Sequence, residues 1–118
     1  MGLDMYLYEK EVSEVAYWRK ANAIHNWFIT NWGAEDDCSP ISVPKKGIVE
    51  LRDTCTKVLE LHTADAAMEF LPPVGGFFFG STEIDDWYWK DVKQTEEALT
   101  DIINQSTDDA TFEYQASW

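Results

Sequence analysis

Lys20, Asn22 and His25 stand within eight residues of one another in "YWRKANAIHNWF", residues 17–28, between two pairs of aromatic side chains. Placed on a helix at about 100° per residue, Tyr17, Ala21, Ile24 and Phe28 share a line, with Trp18, Trp27 and Ile29 on its flanks. Lys20 then falls between Ile24 and Trp27, and His25 between Phe28 and Trp18. An imidazole among aromatic rings is a candidate proton carrier or ligand group, and an ammonium there needs a carboxylate partner or a route to water. Two readings follow. In one, the lysine runs its stem along the rings and the histidine bonds within the core, fixing the segment against its neighbours. In the other, the edge of the segment forms a polar pocket for a small ligand. Its residues would be Arg19, Lys20, Asn22 and His25, together with Phe78, Ser81 and Thr82 of "GFFFGST", and Asp85 and Asp86 would face it.

Other chemistry finds less support in the sequence. The two histidines, His25 and His62, lie in separate segments, and Cys38 and Cys55 have no second pair at zinc-ligand spacing, so no metal site is expected. Cys55 falls on an apolar stripe and reads as a small core residue rather than a nucleophile; both thiols are expected reduced. "GGFFFGST" leads glycines toward a helix start but matches neither common phosphate-loop spacing. Glu83, Asp85 and Asp86 also put negative charge where a phosphate would sit. Carboxylate pairs such as "IDD" and "TDD" are ordinary at helix starts and turns. No catalytic residue and no cofactor is therefore assigned, and the chain reads as non-enzymatic. A catalytic role for His25 is the weakest alternative.

Charge narrows the partners. With 22 acidic and 9 basic residues the formal charge is −13, which disfavours direct contact with nucleic acid or an anionic membrane. Residues 83–118 carry ten of the acids against Lys90 and Lys93. Asp85, Asp86, Asp91, Glu96, Glu97 and Asp101 are candidates for docking a protein with a basic surface. The same acids also suit a merely well-hydrated helix face. No apolar run approaches membrane-spanning length and the first residues do not resemble a signal peptide, so a cytoplasmic location is expected. Oligomeric state is open.

These residues need elements to hold them. Leu3, Met5 and Leu7 alternate with Asp4, Tyr6 and Tyr8, and Phe112, Tyr114, Ala116 and Trp118 alternate with Thr111, Glu113, Gln115 and Ser117. Each pattern predicts a half-buried strand, and the two are matched in length for antiparallel pairing. Three helices are predicted between them. The first spans about residues 13–31 with Ser13 as its cap. The second begins near Pro44 along Ile48, Leu51, Cys55 and Val58. The third follows a Thr82 cap along Tyr88, Val92, Thr95, Leu99 and Ile102. "FFF" at 77–79 predicts a short buried strand or apolar plug, and an optional strand lies between the first two helices. The whole is expected to be one α+β domain over residues 1–118, with three helices on one face of a small, mainly antiparallel sheet that includes both terminal strands.

"MGLDMYLY", "YWRKANAIHNWF", "GFFFGSTEIDDWYW" and "YQASW" together resemble a family of small, mostly uncharacterised proteins encoded by bacteriophages and prophages. The resemblance spans nearly the whole chain in order. "ISVPKKGIVEL" departs from it by inserting Pro44 and Gly47 at the second helix's entry. The resemblance implies an accessory protein of the infected bacterial cytoplasm. With the acidic charge, it points to a protein that binds and inhibits or modulates a host protein, such as a nucleic-acid-binding defence complex of CRISPR type, by standing in for nucleic acid. The alternative is a protein that sequesters a small ligand in the pocket around Lys20, Asn22 and His25.

Overall fold

A computed structural model describes residues 3–9, 13–33, 38–75 and 82–117 of the chain. In chain order the elements are β1 (Asp4–Glu9), β2 (Ser13–Arg19), α1 (Asn22–Trp32), β3 (Ile41–Pro44), α2 (Lys45–Leu61), α3 (Ala64–Phe70), α4 (Asp86–Gln105) and β4 (Thr111–Ser117). The strands form one sheet in the order β2-β1-β4-β3, with every neighbouring pair antiparallel. The two strands nearest the chain ends are thus central, paired from Asp4 opposite Ser117 to Glu9 opposite Phe112. Their alternation explains this: Leu3, Met5, Leu7, Phe112, Tyr114 and Ala116 are all buried on one face, where the helices pack. The fold is α+β, as the pattern predicts, with helices against the sheet.

Three expectations change. The expected single helix over 13–31 is a strand followed by a shorter helix. β2 pairs with β1 from Asp4 opposite Arg19 to Glu9 opposite Ser13, with an irregularity at Leu7/Tyr8. Segment 13–19, "SEVAYWR", is rich in β-branched and aromatic residues, and pairing with β1 satisfies its backbone at long range. Trp18 turns inward at 3% exposure while Tyr17 points outward at 43%. Lys20 ends the strand with φ of 56°, a left-handed conformation, as its N–H donates to the Leu3 carbonyl at 2.7 Å. The helix therefore starts only after it, and Lys20 and His25 do not share one.

Among the described residues the expected three helices are four. α2 closes at His62, whose φ of 48° breaks the helix, and Thr63 then caps the short α3 through the Ala66 N–H at 3.1 Å. At the start of α4 the cap is Asp85, accepting from the Tyr88 N–H at 3.1 Å, rather than Thr82. Such a cap contributes about 1 kcal/mol. Gly47 settles the entry to α2: a Cβ there would lie 2.6 Å from Val43 Cγ1 and 2.8 Å from the Trp32 ring. Only glycine lets the helix approach α1 and β3 so closely. The predicted strand or plug at 77–79 lies outside the described residues.

α2 and α4 pack along their predicted stripes, with Ile48, Leu51, Cys55 and Val58 against Tyr88, Val92, Thr95, Leu99 and Ile102, all buried. Among the described residues no helix is long and apolar enough to cross a membrane.

Candidate functional site

A cavity of about 350 Å³ opens where the end of β2, the start of α1 and the start of α4 meet. That volume is at the lower end of the range for small-ligand sites. One wall carries Arg19 and Lys20 with the first turn of α1, residues Asn22, Ala23 and Ile24. The other, from α4 and the residues before it, carries Glu83, Asp85, Trp87, Tyr88, Asp91 and Val92.

The two walls are tied together through the core. Trp18 Nε1 donates to Thr95 Oγ1 at 2.8 Å, and that hydroxyl donates to the Asp91 carbonyl at 2.7 Å. The strand end bearing Arg19 and Lys20 is thereby fixed to the turn of α4 bearing Asp91. Below them, the Tyr88 hydroxyl and Asn26 Nδ2 both donate to the connector after α3, to the Leu71 carbonyl at 2.7 Å and the Pro72 carbonyl at 3.1 Å. These bonds tie β2, α1 and α4 to their neighbours around the cavity.

Two of its polar residues work against the fold. Lys20 is held in the left-handed region, which disfavours a residue with a Cβ. The Asp91 carboxyl is half-buried, and among the described residues no hydrogen bond or ion pair reaches it. Burial, with the Asp85 charge as a second cause, pushes it up to about 6. Trp87 stands at the rim 70% exposed, with Lys90 Nζ 5.0 Å from its ring centre. α1 has neither a side-chain cap nor an acid in its first turn, so the positive end of its dipole adds to the Arg19 and Lys20 wall.

Of the residues expected to form a pocket, Arg19, Lys20 and Asn22 line the cavity, and Asp85 lines it too. His25 does not. It lies in the core at 1% exposure, with Nδ1 and the Tyr114 hydroxyl sharing a hydrogen bond of 2.5 Å, while Phe28 stacks on Tyr114 at 4.0 Å. Helix periodicity turns it toward the sheet, where it positions α1. Thr82 is exposed and does not line the cavity, nor does Asp86. Phe78 and Ser81 lie outside the described residues.

The acids expected to form one partner-binding face are divided. Asp85 caps α4 and Asp91 lines the cavity. Glu96 accepts from Thr56 Oγ1 at 2.7 Å and from Lys93 Nζ at 3.2 Å, and those bonds, the threonine's first, hold its carboxyl below the usual range. Glu97 lies 3.9 Å from the same ammonium. Asp86, Glu97 and Asp101 are exposed at the surface. α4 therefore spends half of these charges on its own structure and on the cavity.

Sequence reasoning missed Trp87, Glu83 and Tyr88 as cavity residues and placed Asp91 with the partner face. Trp87 had a signal: it falls off the apolar stripe of its helix, beside acids, where an aromatic has no packing reason to be. Elsewhere, burial pushes the Cys55 thiol far up and out of reach of chemistry. Among the described residues no cluster of three or more His, Cys, Asp or Glu is placed to hold a metal ion.

No family model matches this chain, and no curated protein or solved structure matches it either. The function is therefore argued from the site alone.

Proposed function

We propose that this is a non-enzymatic binding protein whose cavity takes up a small bipolar molecule. The ligand carries an anionic group at one end, a nitrogen donor at the other and a flat or apolar body between. The observation that carries the reading is the half-buried Asp91 carboxyl, without a partner among the described residues, in a cavity that Arg19 and Lys20 also line. A donor on the ligand relieves the desolvated carboxylate, and its anion meets the two cationic side chains near the start of α1. Trp87 and Tyr88 cover the body.

Binding rather than catalysis is favoured because Asp85, the carboxylate whose charge reaches Asp91, is held as the cap of α4, and among the described residues no histidine or cysteine lines the cavity. The Tyr88 hydroxyl is committed to Leu71, and burial pushes it far up. His25 and Cys55 lie in the core. In the phage setting implied by the resemblance, the role is sequestration of a small host molecule in the infected cytoplasm.

Calorimetric titration tests the reading with paired probes: arginine against agmatine, which lacks the carboxylate, and GMP against guanosine, which lacks the phosphate. The bipolar member of one pair is expected to bind at least tenfold more tightly than its truncated form. It is also expected to weaken with Lys20→Ala and with Asp91→Asn. Equal binding of both members in each pair, or affinity indifferent to both substitutions, refutes it.

A further inference from the structure

The face of the sheet opposite the helices is neither covered by a described element nor polar in the ordinary way. Its residues fall into rows set by strand register. Tyr17, Tyr6 and Gln115 form one row, and Glu14, Tyr8 and Glu113 the next. The Tyr6 and Tyr8 rings stack at 6.2 Å, and Tyr6 meets Tyr17 at 5.2 Å and 49°. Tyr17 donates its hydroxyl to Asp4 Oδ1 at 2.7 Å, which fixes its ring across the surface.

We infer that this face docks a lysine- or arginine-rich segment of another protein, its cations lying over the tyrosine rings and between the flanking carboxylates. The cavity plays no part in the argument. Three aromatic rings packed against one another on a rigid sheet present a negative π surface at small entropic cost. Glu14 and Glu113 flank Tyr8 from the strands on either side, so they lie roughly 10 Å apart at ordinary strand spacing, wide enough to admit a guanidinium or ammonium between them. A third row sets Arg19 and Ser117 on either side of Asp4, and over the three rows Arg19 is the one cation among the described residues, against Asp4, Glu14 and Glu113. Charge also selects among occupants. A second copy of this chain would oppose acid to acid at −13, and nucleic acid would meet the same repulsion. A basic polypeptide segment gains from both the rings and the carboxylates.

Fluorescence anisotropy with a labelled nine-residue polyarginine peptide tests this. The Glu14→Lys/Glu113→Lys double variant is compared with Asp86→Lys/Asp101→Lys, which changes the net charge equally on exposed positions of α4. Reversal on the sheet is expected to weaken binding at least tenfold at near-physiological salt, and reversal on α4 less than threefold. Tyr6→Ser/Tyr8→Ser is expected to weaken it about as much as reversal on the sheet, with far-ultraviolet circular dichroism confirming folded variants. If only one pair folds, amide shifts of wild type on adding peptide decide the matter. Shifts concentrated at Tyr6, Tyr8 and Tyr17 support the inference, and shifts elsewhere overturn it. Equal losses from both charge reversals reduce the effect to net charge and overturn it. So does self-association through the tyrosine face, or tighter binding of single-stranded RNA than of the peptide.

Discussion

Asp91→Asn should make the protein more stable while weakening its binding of a bipolar ligand. The carboxyl rises from the usual 3.8 to about 6, and at about 1.36 kcal/mol per pH unit this corresponds to about 3 kcal/mol of disfavoured ionisation. The group is half-buried and water reaches part of it, so solvent screening reduces the effect to about 1–1.5 kcal/mol. The sign follows from linkage. A carboxyl whose folded value is raised favours the fold when protonated; that contribution is complete below 3.8 and is lost as pH rises through about 6. The amide copies the neutral form at every pH. Melting temperatures of wild type and variant should therefore coincide near pH 4, diverge through pH 5–6 and differ by about 4–8 °C at pH 7–8 for a chain of this size. Scanning calorimetry across that series measures the difference, and titration with arginine and GMP measures the binding. A variant less stable than wild type at pH 7, or a difference independent of pH, would show that the carboxylate supports the fold and would remove the reason for assigning it to a ligand.

Three further outcomes are expected. Lys20→Gly frees the left-handed turn of its Cβ and should raise stability by about 0.5–1 kcal/mol in urea unfolding, while reducing affinity for the anionic end of a bipolar ligand; a fall in stability would mean that the lysine stem packs against the aromatic rings. Gly47→Ala should destabilise by about 1–2 kcal/mol although alanine is the better helix former, because the Cβ overlaps Val43 and the Trp32 ring; a gain in melting temperature would contradict that contact. Cys38, partly accessible, should react promptly with a thiol reagent such as DTNB, and Cys55 only on unfolding; two fast equivalents would contradict the burial of α2.

Alternation made β1 and β4 legible because each has one wet and one dry face, and the stripe of α4 was equally plain for a helix packed along one side. Residues 13–19 were not legible. "SEVAYWR" satisfies a two-residue period through Ala16 and Trp18 and continues a helical line through Tyr17 into Ala21 and Ile24, and only its hydrogen bonds to β1 decide between them. The same misreading set Lys20 and His25 on one face, although a left-handed residue separates the strand from the helix and His25 turns into the core. Arg19, Lys20 and Asn22 line the cavity even so, because the end of β2 and the start of α1 meet there. Asp91 could not be told from its acidic neighbours by sequence, because its burial depends on β2 crossing near α4 through Trp18 and Thr95.

The central position of β1 and β4 also governs the order in which the molecule is made. β1 leaves the ribosome first among the strands and gains its inner partner only when β4 follows, about a hundred positions later by their register. Until then the β1–β2 ribbon exposes one long backbone edge, with Met5 and Leu7 still in water and the tyrosine face already formed. Such an edge invites pairing with other chains. The acids beside it, Asp4, Glu9 and Glu14, give nascent copies like charge, which opposes such pairing during that interval.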